Sequence, residues 1–148
     1  MIARRIGFWL LVSFWFTTLP AAAEPLVRVY LFGATHCQLC QKALVFLERA
    51  SATDARFTFR GLDIERSSAE AELFLRVVID IGIEEPVVPI VIIGPHVLLG
   101  FDDDATSGPE IMRRVERCQT EACPDFVAQL EVLGPAASGK RAWQVSRK

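Results

Sequence analysis

The sequence predicts an α/β domain: a βαβ unit, then a helix, a β-hairpin and a C-terminal helix. Three observations carry that prediction. Leu26 to Phe32 is a β-branched and aromatic run that stops at Gly33 and reads as a buried strand. Beyond it, Ala43, Leu44 and Leu47 recur at helical spacing. Phe57, Phe59 and Leu62 then form a second strand with Arg56, Thr58 and Arg60 on its other face, which completes the βαβ unit.

The later elements follow from caps and breakers. Ser67 and Glu70 have the form of a capping box, Phe74, Val77, Val78 and Ile81 make one apolar face, and Gly82 is the expected stop. Pro89 introduces the apolar run Ile90 to Ile93, and Gly94-Pro95 separates it from Val97 to Leu99, which reads as a hairpin. Ser107 and Glu110 offer another capping box, with Ile111, Val115 and Cys118 as the inward stripe of the helix behind it. After Pro124, the stretch Asp125 to Leu133 suits a short final helix. His96 is expected at the surface beside the hairpin turn, with no role.

The ends read differently from the middle. Residues 1–23 run from basic Arg4 and Arg5 through the apolar Ile6 to Leu19 to the small-residue stretch ending at Ala23, the pattern of a cleaved secretory signal peptide. Cleavage near Ala23 would leave a chain starting at Glu24 and a periplasmic or secreted protein. An uncleaved anchor is the competing reading, but the apolar core is short for crossing a bilayer. Residues 24–133 are expected to form one domain, and 134–148, with Lys140, Arg141, Arg147 and Lys148, a flexible basic tail. With 16 bases against 18 acids the net charge is −2, which gives no support to a nucleic-acid partner.

Outside the cytoplasm, thiols usually end as disulfides. The four cysteines fall into two local pairs, Cys37 with Cys40 and Cys118 with Cys123, although three connectivities remain open. Thiol exchange needs an attacking thiolate, a second thiol to resolve the mixed disulfide and access for a partner's sulfur. A CxxC at a helix start offers the first two, because unpaired backbone N–H groups and the positive end of the helix dipole favour a thiolate. Cys37 is therefore the expected nucleophile and Cys40 the resolving thiol, with His36 as an auxiliary that could carry a proton. Gln41, where a c-type haem site needs histidine, excludes haem attachment. No metal site is expected, since zinc bound by four sulfurs would require both pairs to converge.

Cys37-Gln38-Leu39-Cys40 after a strand, Val88-Pro89-Ile90 before the hairpin and Leu99-Gly100-Phe101-Asp102-Asp103 after it together resemble the thioredoxin superfamily, specifically its exported glutaredoxin-like members, over about Leu26 to Cys123. The resemblance implies a thioredoxin-like fold, a cis peptide before Pro89, a substrate groove shaped by Val88 and Pro89, and a segment at Gly100, Phe101 and Asp102 that holds the ends of glutathione. The sequence departs from the family pattern in three places. Leu99 stands where glutaredoxins usually have a further glycine, Leu31 where thioredoxins carry a buried acid, and His36 where tryptophan usually precedes the first cysteine. Asp102 to Asp104 can equally be read as a solvated acidic loop.

The expected activity is thiol–disulfide exchange with protein thiols or disulfides, without a resident cofactor. Glutathione is a candidate co-substrate, and a membrane redox protein a candidate recycling partner. A glutathione-dependent glutaredoxin and a non-catalytic metal-binding or adaptor module are the alternatives. Cys118 and Cys123 are expected to form a structural bridge at the end of the last core helix, the other reading being a second redox relay that distance would decide.

Overall fold

A computed structural model describes residues 26–133 and 141–147. The expected signal peptide, residues 134–140 and residue 148 lie outside the described residues. The chain forms β1 (Val27–Gly33), α1 (Gln38–Thr53), β2 (Phe57–Asp63), α2 (Ser68–Ile81), β3 (Ile90–Ile93), β4 (His96–Leu99), α3 (Ser107–Glu121), α4 (Phe126–Leu133) and β5 (Gln144–Arg147). The strands build a mixed five-stranded sheet in the order β2-β1-β3-β4-β5. β1 runs parallel to β2 and antiparallel to β3, β3 and β4 are the predicted hairpin, and β5 runs parallel to β4.

Side-chain alternation explains the layers. Val29, Leu31, Val91, Ile93 and Leu98 face one side of the sheet, where Ala43 and Leu47 of α1 and Ile111, Val115 and Cys118 of α3 cover them. Tyr30, Phe32, Ile90, Ile92, Val97 and Leu99 face the other, under Phe74, Val77 and Val78 of α2 and Val127 and Leu130 of α4. Leu62, expected beside Phe57 and Phe59, lies on this second face because an odd spacing reverses the side of a strand. Each fully buried aliphatic or aromatic side chain contributes about 1.5–3 kcal/mol, and this two-sided core is where the stability of the fold resides.

The ends of α2 follow the sequence. Ser67 Oγ accepts from Glu70 N at 3.2 Å, and Gly82 closes the helix at φ 82°. The second capping box is not made. α3 is entered through Thr106 without a side-chain cap, Ser107 is its first residue, and Ser107 Oγ accepts from Asp102 N at 3.0 Å instead. Glu110 is drawn to Arg113 and Arg114, so it does not reach back to the helix start.

The tail is the larger correction. Residues 144–147, expected to be flexible, form β5, and Gln144 N donates to Pro95 O at 2.8 Å. Its entry is fixed on α2: Arg141 Nη1 and Trp143 Nε1 donate to the two oxygens of Asp80 at 2.7 and 2.8 Å. The Arg141 and Asp80 side chains are only 9% and 6% exposed, and Trp143 meets Phe126 edge-on at 4.9 Å. A cation expected to be solvated thus serves as an anchor, and because both partners are buried, removing either would leave the other charge uncompensated. Among the described residues no helix is long and apolar enough to cross a membrane.

Asp125 ties α4 to the sheet. Its Oδ1 accepts from Ala128 N at 2.9 Å, and its Oδ2 accepts from the buried Tyr30 hydroxyl at 2.8 Å. Burial first, then the Asp125 carboxylate, push the Tyr30 phenol up to about 12. Tyr30 is the only tyrosine of the chain. A tyrosinate absorbance titration should therefore show a native midpoint near 12, against about 10 in denaturant. Because the unfolded chain loses this proton first, the associated stability is complete below about pH 10 and falls as pH rises toward the native midpoint. A native midpoint no higher than the denatured one would contradict the Tyr30–Asp125 contact.

Candidate functional site

β1 ends at Gly33, and a short turn delivers Cys37 to the N-cap of α1, where the backbone is extended (φ −95°, ψ 109°). The Cys37 sulfur accepts from Cys40 N at 3.1 Å, so a sulfur fills the place that a serine or aspartate oxygen usually takes at a helix start. Cys37 and Cys40 are joined by a disulfide with Cα atoms 5.2 Å apart. Cys37 is partly exposed, whereas Cys40 is only 3% exposed. A Cβ at Gly33 would lie 3.1 Å from the Cys40 Cβ, so the residue before the turn has to be small for α1 to seat.

The turn is held from the β2–α2 loop. Asp63 Oδ2 accepts from Thr35 Oγ1 at 2.6 Å, and this bond above all keeps the Asp63 carboxyl below the usual range. Glu65 Oε2 accepts from His36 N at 3.3 Å and lies 3.0 Å from His36 Nδ1. The His36 ring is 88% exposed and is turned toward Glu65. Behind the disulfide, a cavity of about 410 Å³ is lined by Leu31, Gly33, Cys40, Asp63 and Glu70 among others. Asp63 and Glu65 had no sequence motif to single them out, and Glu70 was visible only as half of a capping box; the pairing of β1 with β2 brings all three near the CxxC.

Val88 and Pro89 stand where they were expected. The peptide between them is cis, and the Val88 carbonyl oxygen is 4.0 Å from Cys37 Sγ. Pro89 O accepts from Gly100 N at 2.9 Å, which joins this loop to the end of β4, and Gly100 takes φ 90°. Phe101 does not belong to a binding surface: its side chain is 1% exposed and packs at 5.9 Å against Phe46 in the α1–α3 core. Asp102 is exposed, but its backbone N–H is already engaged by Ser107.

Cys118 and Cys123 form the second disulfide, with Cα atoms 4.8 Å apart, where α3 ends at the left-handed Ala122 (φ 49°). Cys118 Sγ lies 3.8 Å from the Ile93 carbonyl oxygen at the far end of β3. The two pairs thus sit at opposite ends of one strand, with the Val88 and Ile93 carbonyls roughly 15 Å of extended chain apart. A direct relay of electrons between them would need sulfur contact, which this arrangement does not allow.

His96 was misread as a turn residue. It is 1% exposed on the face of β4 that carries Leu98, beneath α3, and neither ring nitrogen has a hydrogen-bond partner. Gln144, opposite it on β5, exerts only a weak influence, and burial is the main cause that lowers the pKa of the ring, ahead of Arg114 and Arg117. Two-residue alternation from Leu98 back to His96 is the sequence signal that would have placed it on the Cys118 side.

No protein-family model, no curated protein and no solved structure matches this chain.

Gly94, in the hairpin turn at φ 55°, is pressed against the second disulfide: a Cβ there would meet Cys123 Cβ at 2.6 Å and Cys118 Sγ at 3.1 Å. Gly94→Ala should cost about 1–3 kcal/mol of stability through overpacking and backbone strain, read as a lower urea midpoint. An unchanged midpoint would show that the turn and the helix end are not in such contact.

Proposed function

We propose that this chain is an exported protein of thioredoxin-like fold that acts as a thiol–disulfide oxidoreductase on protein thiols or disulfides. The observation that carries the reading is the placement of Cys37 as the N-cap of α1, its sulfur accepting a backbone N–H, while its disulfide partner Cys40 is buried. That asymmetry selects the sulfur that is attacked. The βαβ unit, the Val88–Pro89 loop beside Cys37 and the hairpin that follows it support the thioredoxin-like reading of the fold.

In the oxidising direction, a partner thiolate attacks Cys37 Sγ, the partner–Cys37 bond forms and the Cys37–Cys40 bond breaks. Cys40 leaves as a thiolate and takes up a proton from solvent, which the cavity lined by Cys40, Asp63 and Glu70 brings to it where Leu31 stands in place of a buried acid. A second partner thiolate then attacks the partner sulfur of the mixed disulfide and releases Cys37 as a thiolate, stabilised by the helix start. The partner ends as a disulfide and the protein as a dithiol; reduction of a partner runs the same steps backward.

A polypeptide partner is favoured over glutathione by two observations. The N–H groups of Gly100 and Asp102 are both spent inside the protein, on Pro89 O and Ser107 Oγ. Leu39 and Val87, 42% and 49% exposed, offer apolar surface near the exchanging sulfur for a peptide to cover.

Equilibration in glutathione redox buffers, followed by acid quench, alkylation and peptide mass spectrometry, tests the proposal. Cys37–Cys40 should titrate reversibly, Cys37→Ser should reduce exchange to background, and Cys40→Ser should accumulate a mixed disulfide at Cys37. A Cys37–Cys40 pair that fails to exchange would end the catalytic reading.

A further inference from the structure

We infer that His96, Cys118 and Cys123 form a redox-gated site for a thiophilic metal ion of the zinc class, closed while the two sulfurs are bonded and opened when a dithiol reduces them. This site is separate from the CxxC and does not depend on the function proposed for it.

The starting point is an unexplained histidine. Buried polar groups are nearly always hydrogen-bonded, and an unpaired one costs about 1–3 kcal/mol. His96, at 1% exposure, makes no well-formed hydrogen bond at either ring nitrogen, and Gln144 is only a weak hydrogen-bonding neighbour. What it does have within reach is sulfur: one ring nitrogen and the two Sγ atoms of Cys118 and Cys123 all lie within 4.8 Å of one another. Tetrahedral zinc, with bonds of about 2.3 Å to sulfur and 2.0–2.1 Å to imidazole nitrogen, needs ligand atoms roughly 3.4–3.8 Å apart. One ring nitrogen and both sulfurs fall within 4.8 Å of one another, so a modest closure onto the ion, with the sulfurs parting once their bond is reduced, reaches that spacing.

Local structure suits that movement. Cys118 is fixed on α3, but Cys123 follows the helix stop at Ala122, so its side chain is not committed to a helical register. A cavity of about 270 Å³, lined by Gly94, Cys118, Cys123, Pro124 and Asp125 among others, opens onto the sulfurs and gives an ion a way in and a water its fourth position. Gly94 belongs to the same wall, since any side chain there would occupy the space of Cys123. Gln144, paired opposite His96, is the neighbour placed to accept from the ring nitrogen that does not bind metal. Two thiolates and one neutral imidazole cancel the charge of a divalent ion, which makes the loaded site tolerable in a buried setting.

The steps balance. A dithiol reductant gives two electrons and two protons to the Cys118–Cys123 bond, becoming a disulfide itself and leaving two thiols. The divalent ion then displaces two protons from those thiols and binds both sulfurs and His96. Exchange with a disulfide oxidant, which takes two electrons from the two thiolates and two protons from solvent to become a dithiol, would re-form the Cys118–Cys123 bond and release the ion.

The test uses the exported chain carrying Cys37→Ser and Cys40→Ser, so that Cys118 and Cys123 are its only thiols. After reduction with excess dithiol and its removal, titration with Co²⁺ should give one equivalent bound with tetrahedral cobalt–thiolate absorption, displaced by Zn²⁺, while the oxidised protein takes up none. His96→Phe should weaken binding by about 10–100-fold or more. X-ray absorption of the zinc-loaded protein with His96 intact should resolve two sulfur neighbours and one imidazole, and it decides the matter if the His96 variant does not fold. A pair that resists reduction in the folded protein, reduced thiols that take up no metal, or a site of sulfur and water alone would each overturn the inference.

Discussion

Every side chain of β3 and β4 is buried, on both faces of the sheet. Strands of that kind cannot leave a face to water, and their need for cover accounts for the placement of the helices: α1 and α3 close one side, α2 and α4 the other. The same demand reaches the edge. β4 would present unpaired backbone groups beside an apolar surface, and β5 satisfies them, held in turn by the buried contact of Arg141 and Trp143 with Asp80.

The cysteine chemistry inherits this frame. α1 has to lie close against β1 to bury Ala43 and Leu47, and that approach brings the start of the helix, with Cys37 as its cap, to the end of β1. β3, packed between β1 and β4, carries the Val88–Pro89 loop to the same place. On the opposite end of the sheet, α3 must bury Cys118 along with Ile111 and Val115, which presses it onto the hairpin turn. Each pair sits where the packing of an amphipathic helix on the sheet puts it, and the turn before Cys37 is held in addition by Asp63 and Glu65.

What could be read from the chain was set by period and by caps. Ser67, Gly82, the hairpin and the helical stripe ending at Cys118 were legible because each rests on neighbours within a few residues. β5 was not, because Gln144 to Arg147 is polar and mostly exposed and becomes a strand only through the edge of β4 and a carboxylate on α2. Phe101 was expected in a glutathione-holding segment because of the family resemblance, yet its ring has Phe46 to pack against across the fold. His96 was hidden by the turn residues before it, although the alternation of β4 assigns its side. At the site itself, the two cysteines and Pro89 were visible, whereas Asp63 and Glu65 arrive through strand pairing that no local pattern encodes, and the place of Glu70 beside the cavity, unlike its capping box, depends on the same pairing.

β3 also acts as a spacer. Its first residue follows the proline beside Cys37 and the carbonyl of its last lies 3.8 Å from Cys118 Sγ, so the length of a single short strand keeps two bonds of the same chemical kind out of each other's reach. Under the exchange proposed for Cys37–Cys40 and the reduction proposed for Cys118–Cys123, each pair would open or close whatever the state of the other, and every combination would be a distinct covalent species of the same folded chain. Only reagents from outside would interconvert them. On those proposals the molecule would carry a record of two separate encounters at once, one written at each end of the strand.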